Sequence, residues 1–292
     1  MGLELPWEVR IRCLLPGSYW FVTTRCLGAC YRLRPDSVRS EAFGFYLGKA
    51  LAAYPGIRLF AVVQMSNHFH LVLRDDNGDL ADFMNRFESP LAKFINRLDS
   101  YRGPLYEDRY CPIRVLDEAA VLERIAYSIA NPVAANLVAQ PSQWPGGLGW
   151  FGDGRGPRLY TKRYADGRIE SACIEFEAMT EDAGDLLRLL LQDKIKQAHL
   201  KAKGKPLGAR RLMRQDPFAS PEAPKRGRAP LCFASDPALA STYAAEVKRL
   251  EEVYDEVSAR YRAGEVDVEF PPWTFRPWLA VRDSGVACFT AA

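Results

Sequence analysis

Two apolar segments joined by three polar residues constrain the fold of this chain more than any other feature of its sequence. Residues 57–65 are dense in valine, leucine and phenylalanine, and residues 69–74 are again mostly apolar after Ser66, Asn67 and His68. Short runs rich in β-branched and aromatic residues are typical of strands, and so brief a connection predicts that the two strands are neighbours in one sheet. The first run has enough apolar residues to be covered on both faces.

The segments around this pair alternate between strand-like and helix-like patterns. Residues 19–24 and 111–116 are short and rich in aromatic or β-branched residues, which predicts strands. Apolar residues at helical spacing predict helices over 37–54, 79–98 and 117–130. The resulting order, β-α-β-β-α-β-α, predicts an α+β fold: a ferredoxin-like antiparallel sheet with helices on one side, plus one extra helix.

A stretch rich in proline, glycine and tryptophan, residues 141–156, indicates a domain boundary. We therefore predict one domain over residues 1–150 and a C-terminal, partly helical accessory region over residues 151–292. Within the accessory region, the patterns predict a strand at 174–176 and helices at 181–201 and 243–261.

The composition is that of a soluble globular protein, with 48% hydrophobic and 26% charged residues among 292. No apolar run reaches the roughly 20 residues that a membrane-spanning helix needs. The N-terminus carries Glu4 where a secretion signal would carry lysine or arginine, so we expect a cytoplasmic protein without a membrane partner. The seven cysteines are scattered and form no Cys-x-x-Cys pair, which argues against a zinc ribbon and a disulfide framework.

Positive charge is concentrated in one segment, although the whole chain carries only +3. Residues 194–228 contain eleven lysines and arginines but two acidic residues. This imbalance predicts a polyanion partner for the segment, with a flexible charged linker as the alternative. Its candidate DNA contacts are Lys201, Lys203, Lys205, Arg210, Arg211, Lys225, Arg226 and Arg228. Further candidates for phosphate contacts, in the first domain, are Arg74, Arg109 and Arg114.

Two of the three histidines, His68 and His70, lie two residues apart at the start of a predicted strand. A period of two places both side chains on the same face of a sheet. Two imidazoles that converge on one point form half of a divalent metal site. The alternative is a pair of histidines at a strand edge whose hydrogen bonds are satisfied without a metal ion.

Tyr127 and Asn131 lie four residues apart near the end of a predicted helix, just before Pro132. They therefore share one helix face, where a tyrosine hydroxyl can stand beside an amide oxygen. Taken alone, such a tyrosine is usually a packing residue, and an asparagine before proline is usually a helix cap.

Together, these two elements resemble the HUH endonuclease superfamily, and within it the REP-associated tyrosine transposases. The resemblance covers roughly residues 10–140. It is carried by Met-Ser-Asn-His-Phe-His-Leu-Val-Leu at 65–73 and by Ala-Tyr-Ser-Ile-Ala-Asn-Pro-Val at 126–133. In addition, Pro-Leu-Tyr-Glu-Asp-Arg-Tyr at 104–110 resembles the aromatic and basic stretch before the family's last strand.

The resemblance implies that His68 and His70 bind a metal ion, Mg²⁺ or Mn²⁺, and that Asn131 supplies a third ligand through its side-chain oxygen. It implies that Tyr127 is the nucleophile. The implied reaction cleaves single-stranded DNA, in a hairpin formed by a palindromic repeat, and rejoins it through a 5′-phosphotyrosine intermediate. Related transposases can act as dimers that exchange the tyrosine helix, so the resemblance is also compatible with a homodimer.

The chain departs from the family pattern at two places. Ala-Ala-Asn at 134–136 stands where the family usually has Arg-Ala-Gly, and Glu107 stands where it usually has glutamine. Both changes bear on the DNA contacts and leave the implied metal ligands and nucleophile in place. Tyr110, in the aromatic and basic stretch, is the rival candidate for the nucleophile.

Other functions are compatible with the same residues. A non-catalytic repeat-DNA-binding or regulatory protein would retain the fold without the chemistry. A metal-dependent phosphodiesterase would use the histidines to activate water and would form no covalent intermediate. A replication initiator or relaxase would share the tyrosine chemistry, and only the family resemblance favours the transposase over it.

Overall fold

The structure of the protein is a computed structural model, which describes residues 11–180, 182–221 and 229–274. Three of the candidate DNA contacts lie outside these described residues: Lys225, Arg226 and Arg228.

In chain order, the strands and α-helices of the described residues are β1 (Ser18–Arg25), α1 (Ser37–Ala53), β2 (Ile57–Gln64), β3 (His68–Asp75), α2 (Leu80–Leu98), β4 (Cys111–Val115), α3 (Glu118–Ala134), β5 (Leu148–Trp150), β6 (Arg158–Arg163), β7 (Ile169–Ile174), α4 (Ala183–Lys201), α5 (Ala209–Leu212), β8 (Cys232–Phe233) and α6 (Pro237–Arg262). The elements from β1 to α3 follow the predicted order β-α-β-β-α-β-α, with bounds close to the predicted ones. These elements were predictable because each is encoded by a local pattern of apolar residues.

The chain forms two compact units, one of residues 15–241 and one that combines residues 11–14 with 242–274 among those described. The predicted boundary near residue 150 falls inside the first unit. There, β5 pairs with β2 and α4 packs along α3, so residues beyond 150 contribute to the same sheet and core as the residues before it.

The first unit is built on a six-stranded sheet with the order β5-β2-β3-β1-β4-β8. All neighbouring strands are antiparallel except β4 and β8, which pair parallel. The predicted antiparallel pairing is confirmed for β5, β2, β3, β1 and β4, whereas residues 232–233 return from far along the chain and add a parallel edge strand that makes the whole sheet mixed.

Helices cover both faces of this sheet. On one face, Phe69 of β3 packs against Phe43 of α1, with 5.4 Å between the ring centroids. On the other face, Val72 of β3 shares a buried cluster with Ile125 of α3. The prediction that helices lie on one side therefore holds for α1 and its neighbour α2, whereas α3 covers the opposite side.

The hairpin formed by β6 and β7 lies against α1. Two glycines one turn apart on α1 allow this close approach. A Cβ atom added at Gly48 would lie 2.9 Å from the carbonyl oxygen of Cys173, and one added at Gly44 would collide with the ring of Tyr160. The hairpin therefore rests on a helix surface from which side chains are missing.

The second unit has a small core of its own. Val257, Tyr261 and Val268 are buried together, and Phe270 packs against them. In neither unit does a described helix have both the length and the apolar character needed to cross a bilayer.

Candidate active site

His68 and His70 are the first and third residues of β3, and their ring centroids lie 4.8 Å apart. The pairing of β3 with β1 places Arg25 opposite His68 and Thr23 opposite His70. Both rings lie on the face of the sheet that α3 covers, because side chains alternate along a strand and Val72 of the same strand packs on α3. The two histidines therefore share one face, as their spacing predicts.

The tautomer of His68 is fixed by the residue before it. The side-chain nitrogen of Asn67 donates to the backbone carbonyl of Ala29 at 3.1 Å, so the side-chain oxygen of Asn67 faces Nδ1 of His68 at 2.7 Å. Because an amide oxygen only accepts hydrogen bonds, Nδ1 of His68 carries the proton. Its Nε2 atom keeps a lone pair.

His70 is held in the same tautomer from two sides. Its Nε2 atom lies 3.3 Å from the side-chain nitrogen of Asn131, and its Nδ1 atom lies 2.7 Å from the hydroxyl oxygen of Thr23. Because an amide nitrogen only donates, Nε2 accepts and Nδ1 donates its proton to Thr23. In both histidines, Nε2 is thus the nitrogen able to coordinate a metal ion, and a second residue orients the ring through Nδ1.

Both imidazoles are neutral at pH 7. Burial, with the nearby charge of Arg25 as a second cause, lowers the pKa of His68 to about 4. Burial lowers the pKa of His70 well below its usual value, assisted by the charges of His68, Arg25 and Arg124. The neutral form is the one that binds a metal ion, so neither ring would have to lose a proton first.

Tyr127 lies on α3 one turn before Asn131, on the side that faces the histidines. Its ring centroid is 5.8 Å from that of His70 and 5.9 Å from that of Phe21. The side chain is 39% exposed, so an incoming substrate can reach it, whereas the rival Tyr110 is 6% exposed. The structure thus brings together His70, Asn131 and an accessible tyrosine.

Arg124 is a site residue that the sequence analysis missed. It lies three residues before Tyr127 on α3, and its guanidinium carbon is 5.1 Å from the Tyr127 ring centroid and 4.2 Å from that of Phe233. Burial lowers the pKa of Arg124, but the group remains a cation at neutral pH. Its helical spacing from Tyr127 was the signal that could have identified it. Phe233 comes from β8 and had no such local signal.

The candidate donor set consists of two imidazole nitrogens and one amide. Among the described residues, no cluster of three or more His, Cys, Asp or Glu side chains could hold a metal ion. With both imidazoles neutral at pH 7, the charged side chains that act on them are Arg25 and Arg124. The two imidazoles favour a transition-metal ion over Mg²⁺, and the amide oxygen is a ligand type that suits Mn²⁺. Phosphate oxygens would supply the negative charge that these side chains lack.

Of the three arginines predicted to contact phosphates in the first domain, Arg74 and Arg114 do not lie beside the histidines. Arg74 lies near the far end of β3 and forms an ion pair with Asp76 at 2.7 Å. Arg114 of β4 pairs with Trp20 of β1, and its guanidinium carbon lies 5.9 Å from the Trp20 ring centroid. Both side chains lie on the face of the sheet opposite to the histidines. Arg109 is exposed on the loop before β4.

The basic segment passes close to the site. The side-chain nitrogen of Asn136, just after α3, donates to the carbonyl of Lys203 at 3.1 Å, and the backbone nitrogen of Leu207 donates to the carbonyl of Asn136. Further along, the hydroxyl of Ser66 donates to the side-chain oxygen of Gln215 at 2.8 Å. Between residues 201 and 214, the exposed basic side chains of this segment are Lys201, Lys203, Lys205, Arg210, Arg211 and Arg214.

No protein-family model matches the chain, and no curated protein matches it. Among solved structures, a REP-associated tyrosine transposase bound to a REP hairpin is similar to it, with a TM-score of 0.40 and 18% sequence identity. The similarity covers 48% of this chain and 80% of that chain.

Proposed function

We propose that this protein is a metal-dependent, single-tyrosine DNA strand transferase of the HUH type. The observation that carries the proposal is the meeting of two elements, β3 and α3, at His70. This imidazole lies 3.3 Å from the Asn131 amide and has its ring centroid 5.8 Å from that of Tyr127. Tyr127 as the nucleophile, and His70 and Asn131 as metal ligands, would therefore all be within reach of one phosphate group.

The fold is in keeping with this proposal. The inner strands have the order β2-β3-β1-β4 and are all antiparallel, and α1 and α2 lie together on one face. We interpret these elements as a ferredoxin-like sheet, with α3 as the extra helix that carries the tyrosine on the opposite face.

In the proposed reaction, the hydroxyl oxygen of Tyr127 attacks the phosphorus of a DNA phosphodiester. The new bond joins this oxygen to phosphorus, and the bond from phosphorus to the 3′ oxygen breaks. The tyrosine loses its proton, the leaving 3′ oxygen gains one, and the product is a 5′-phosphotyrosine with a free 3′-OH. Because the phosphodiester bond energy is conserved, a second 3′-OH can reverse the step and join two strands.

His68, His70 and Asn131 would hold a divalent ion, which would polarise the scissile phosphate and offset its developing charge. Asn131 would turn its amide so that the oxygen faces the ion. Arg124 places a fixed positive charge beside the Tyr127 ring, where the phenolate oxygen and the phosphate carry negative charge during the attack.

The basic segment supplies the proposed contacts to the DNA backbone. It runs beside the end of α3 and beside Ser66, two residues before His68. A strand whose phosphate lies at Tyr127 would therefore have basic side chains along its path. For single-stranded DNA, each phosphate contact contributes roughly 0.7 to the log–log salt dependence of binding.

Covalent trapping tests the proposal. Hairpin oligonucleotides from palindromic repeats, labelled at the 3′ end, are incubated with the protein and Mn²⁺ and separated on a denaturing gel. We expect a protein–DNA adduct with the wild type and with Tyr110→Phe, and no adduct with Tyr127→Phe or His68→Ala. The 3′ label matters because the tyrosine retains the fragment on the 3′ side of the cut.

Each other outcome contradicts a part of the proposal. An adduct that persists in Tyr127→Phe moves the nucleophile to another residue. Cleaved ends without an adduct indicate a phosphodiesterase that activates water. Tight hairpin binding without cleavage or adduct, over a broad set of repeats, indicates a DNA-binding protein without this chemistry.

A further inference from the structure

A cleft of about 540 Å³ opens between α1, α2 and the β6–β7 hairpin. Its walls combine basic and aromatic side chains: Tyr46 and Lys49 from α1, Arg86 and Lys93 from α2, and Tyr164 and Glu170 from the hairpin. No step of the strand-transfer reaction proposed above uses these residues.

The cleft is separate from the candidate active site. The helices that form it, α1 and α2, pack on the face of the sheet that carries Phe69. His68 and His70 project from the other face, because side chains alternate along β3. A ligand in this cleft would therefore not touch the histidines.

The cleft carries unpaired positive charge. Its single carboxylate, Glu170, is already engaged: it lies 3.8 Å from Lys49, pairs with Arg168 at 3.2 Å and accepts a hydrogen bond from the Tyr164 hydroxyl at 3.1 Å. Within the described part of the chain, neither Arg86 nor Lys93 has a carboxylate within ion-pair distance. Arg86 and Lys93 are seven residues apart on α2, so both point to the same side.

The two tyrosines of the cleft are held by a cation between them. The ammonium group of Lys162 lies 4.9 Å from the ring centroid of Tyr46 and 4.5 Å from that of Tyr164, and it donates to the Tyr46 hydroxyl at 2.7 Å. Arg168 lies 4.3 Å from the Tyr164 ring centroid. These contacts fix the aromatic side chains in place, so a flat ligand would pack against the ring surface that Lys162 and Arg168 leave open.

A second hollow, of about 430 Å³, adjoins the cleft and shares Phe45 and Tyr46 with it. Val38, Ala42 and Phe94 make its lining more apolar. Tyr46 therefore stands between an apolar hollow and a cationic cleft. A ligand that joins an aromatic ring to an anionic group could therefore pack its ring at Tyr46 and place its anionic group in the cationic cleft.

We propose that this cleft binds a nucleotide, with the base against Tyr46 and Tyr164 and the phosphate at Arg86 and Lys93, and that a single strand of DNA supplies it. Base stacking on tyrosine combined with lysine and arginine at the phosphates is the usual chemistry of strand binding without sequence preference. A free nucleotide offers the same chemistry from a different source. The proposal stands apart from strand transfer, because it uses neither Tyr127 nor a metal ion.

Photocrosslinking locates the ligand directly. The full chain is mixed in EDTA with a ten-nucleotide thymidine strand in which one base is 5-iodouracil, irradiated, digested and analysed by mass spectrometry. EDTA removes the metal ion, and the strand forms no hairpin, so failure of the strand-transfer proposal would leave this result unchanged. We expect crosslinks to the peptides that contain Tyr46 or Tyr164.

Variants that remove charge supply the matched comparison. Arg86→Ser with Lys93→Ser removes two exposed cations from the cleft, and Arg97→Ser with Arg102→Ser removes two exposed cations from outside it. We expect the first pair to reduce crosslinking at Tyr46 and Tyr164 by about tenfold and the second pair to change it less than about threefold. Because all four residues are exposed, both variants should keep the fold.

The outcomes separate the sources and decide the proposal. Crosslinks from the strand that resist millimolar thymidine monophosphate support a DNA strand as the ligand. Crosslinks only from 5-iodo-deoxyuridine monophosphate support the same cleft with a free nucleotide as its ligand. Crosslinks confined to other peptides, or equal losses in the two double variants, would overturn the proposal.

Discussion

The side-chain nitrogen of Asn131 lies 3.3 Å from Nε2 of His70, so the end of α3 and the start of β3 meet at the nitrogen that a metal ion would use. The same contact fixes the proton of His70 on Nδ1, next to Thr23. In the proposed metal site, this hydrogen bond between a helix and a strand would hold the His70 ring with Nε2 free of a proton.

Asn131→Asp should bind Mn²⁺ more tightly than the wild type. The substitution keeps the shape of the side chain and adds a negative charge beside two neutral imidazoles. Since affinity for divalent ions rises with the charge of the ligands, we expect a gain of about tenfold or more. Titration followed by the electron paramagnetic resonance of free Mn²⁺ measures it. Gln192→Glu on α4 adds the same charge away from the site, and an equal gain there would argue against Asn131 as a ligand.

Thr23→Val should weaken Mn²⁺ binding without changing the ligands themselves. Valine has nearly the shape of threonine but cannot accept the proton of His70 Nδ1, which lies 2.7 Å from the Thr23 hydroxyl. Loss of such an orienting hydrogen bond typically costs about 10- to 100-fold in metal affinity. Thr24→Val is the control, because that hydroxyl bonds Glu88 instead. Unchanged Mn²⁺ affinity in Thr23→Val would mean that the ring needs no support from β1.

Arg124→Gln should slow adduct formation at saturating Mn²⁺. The guanidinium lies beside the Tyr127 ring, where it can offset negative charge during the attack. Removal of one group that stabilises developing charge typically costs about 10²-fold or more in rate. Arg124→Lys should recover part of the rate because it restores the cation. Arg58→Gln removes an arginine that instead pairs with Glu177, and a similar slowing there would contradict a specific role for Arg124.

Features that depend on neighbouring residues along the chain could be predicted well from the sequence. Strands and helices from β1 to α3 follow from apolar periodicity, and the common face of His68 and His70 follows from their spacing of two. What was missed depends on contacts between residues far apart in the chain. The parallel pairing of β8 with β4 is one example, and the packing of Phe233 against Arg124 is another. No periodic pattern near residue 233 encodes either of them.

The hydrogen bonds that orient the two histidines also could not be predicted from local sequence patterns. Asn67 belongs to the histidine motif, but its role depends on the carbonyl of Ala29, which only the folded chain brings close. Thr23 was expected in a strand, yet its position opposite His70 depends on the register between β1 and β3. Register is set by tertiary packing, so the orienting partners of the histidines could not be read from spacing alone.

Asp99→Asn should destabilise the fold. Asp99 is buried at the end of α2, where it pairs with Arg32 at 3.0 Å and with Arg39, and both arginines are buried too. Removing the carboxylate leaves two buried cations with less compensation, which typically costs about 3–5 kcal/mol of unfolding free energy. Urea denaturation measures it. Asp185→Asn, which breaks an exposed pair with Arg188, should leave the midpoint nearly unchanged. If Asp99→Asn and Asp185→Asn both lowered the unfolding free energy only slightly, solvent would already screen the charge of Asp99.

Gly48→Ala and Gly184→Ala should have opposite effects on stability, although both replace a helical glycine. A Cβ added at Gly184 meets no atom within 4 Å. Alanine there should raise the unfolding free energy by about 0.4–1 kcal/mol, because it lowers the conformational entropy of the unfolded chain. Alanine at Gly48 meets the carbonyl oxygen of Cys173 at 2.9 Å and the Cβ atom of Ala172 at 3.0 Å. The hairpin must then move away from α1, which should cost about 1–3 kcal/mol.

The same pair of variants tests whether the hairpin rests on α1. In Gly48→Ala, limited proteolysis should cut within residues 158–174 faster than in the wild type, because the displaced hairpin loses its packing. In Gly184→Ala, cleavage there should proceed at the wild-type rate. If Gly48→Ala instead stabilised the protein, as Gly184→Ala is expected to do, the hairpin would not need a glycine surface on α1 for its packing. The hairpin would then not be a fixed wall of the cleft.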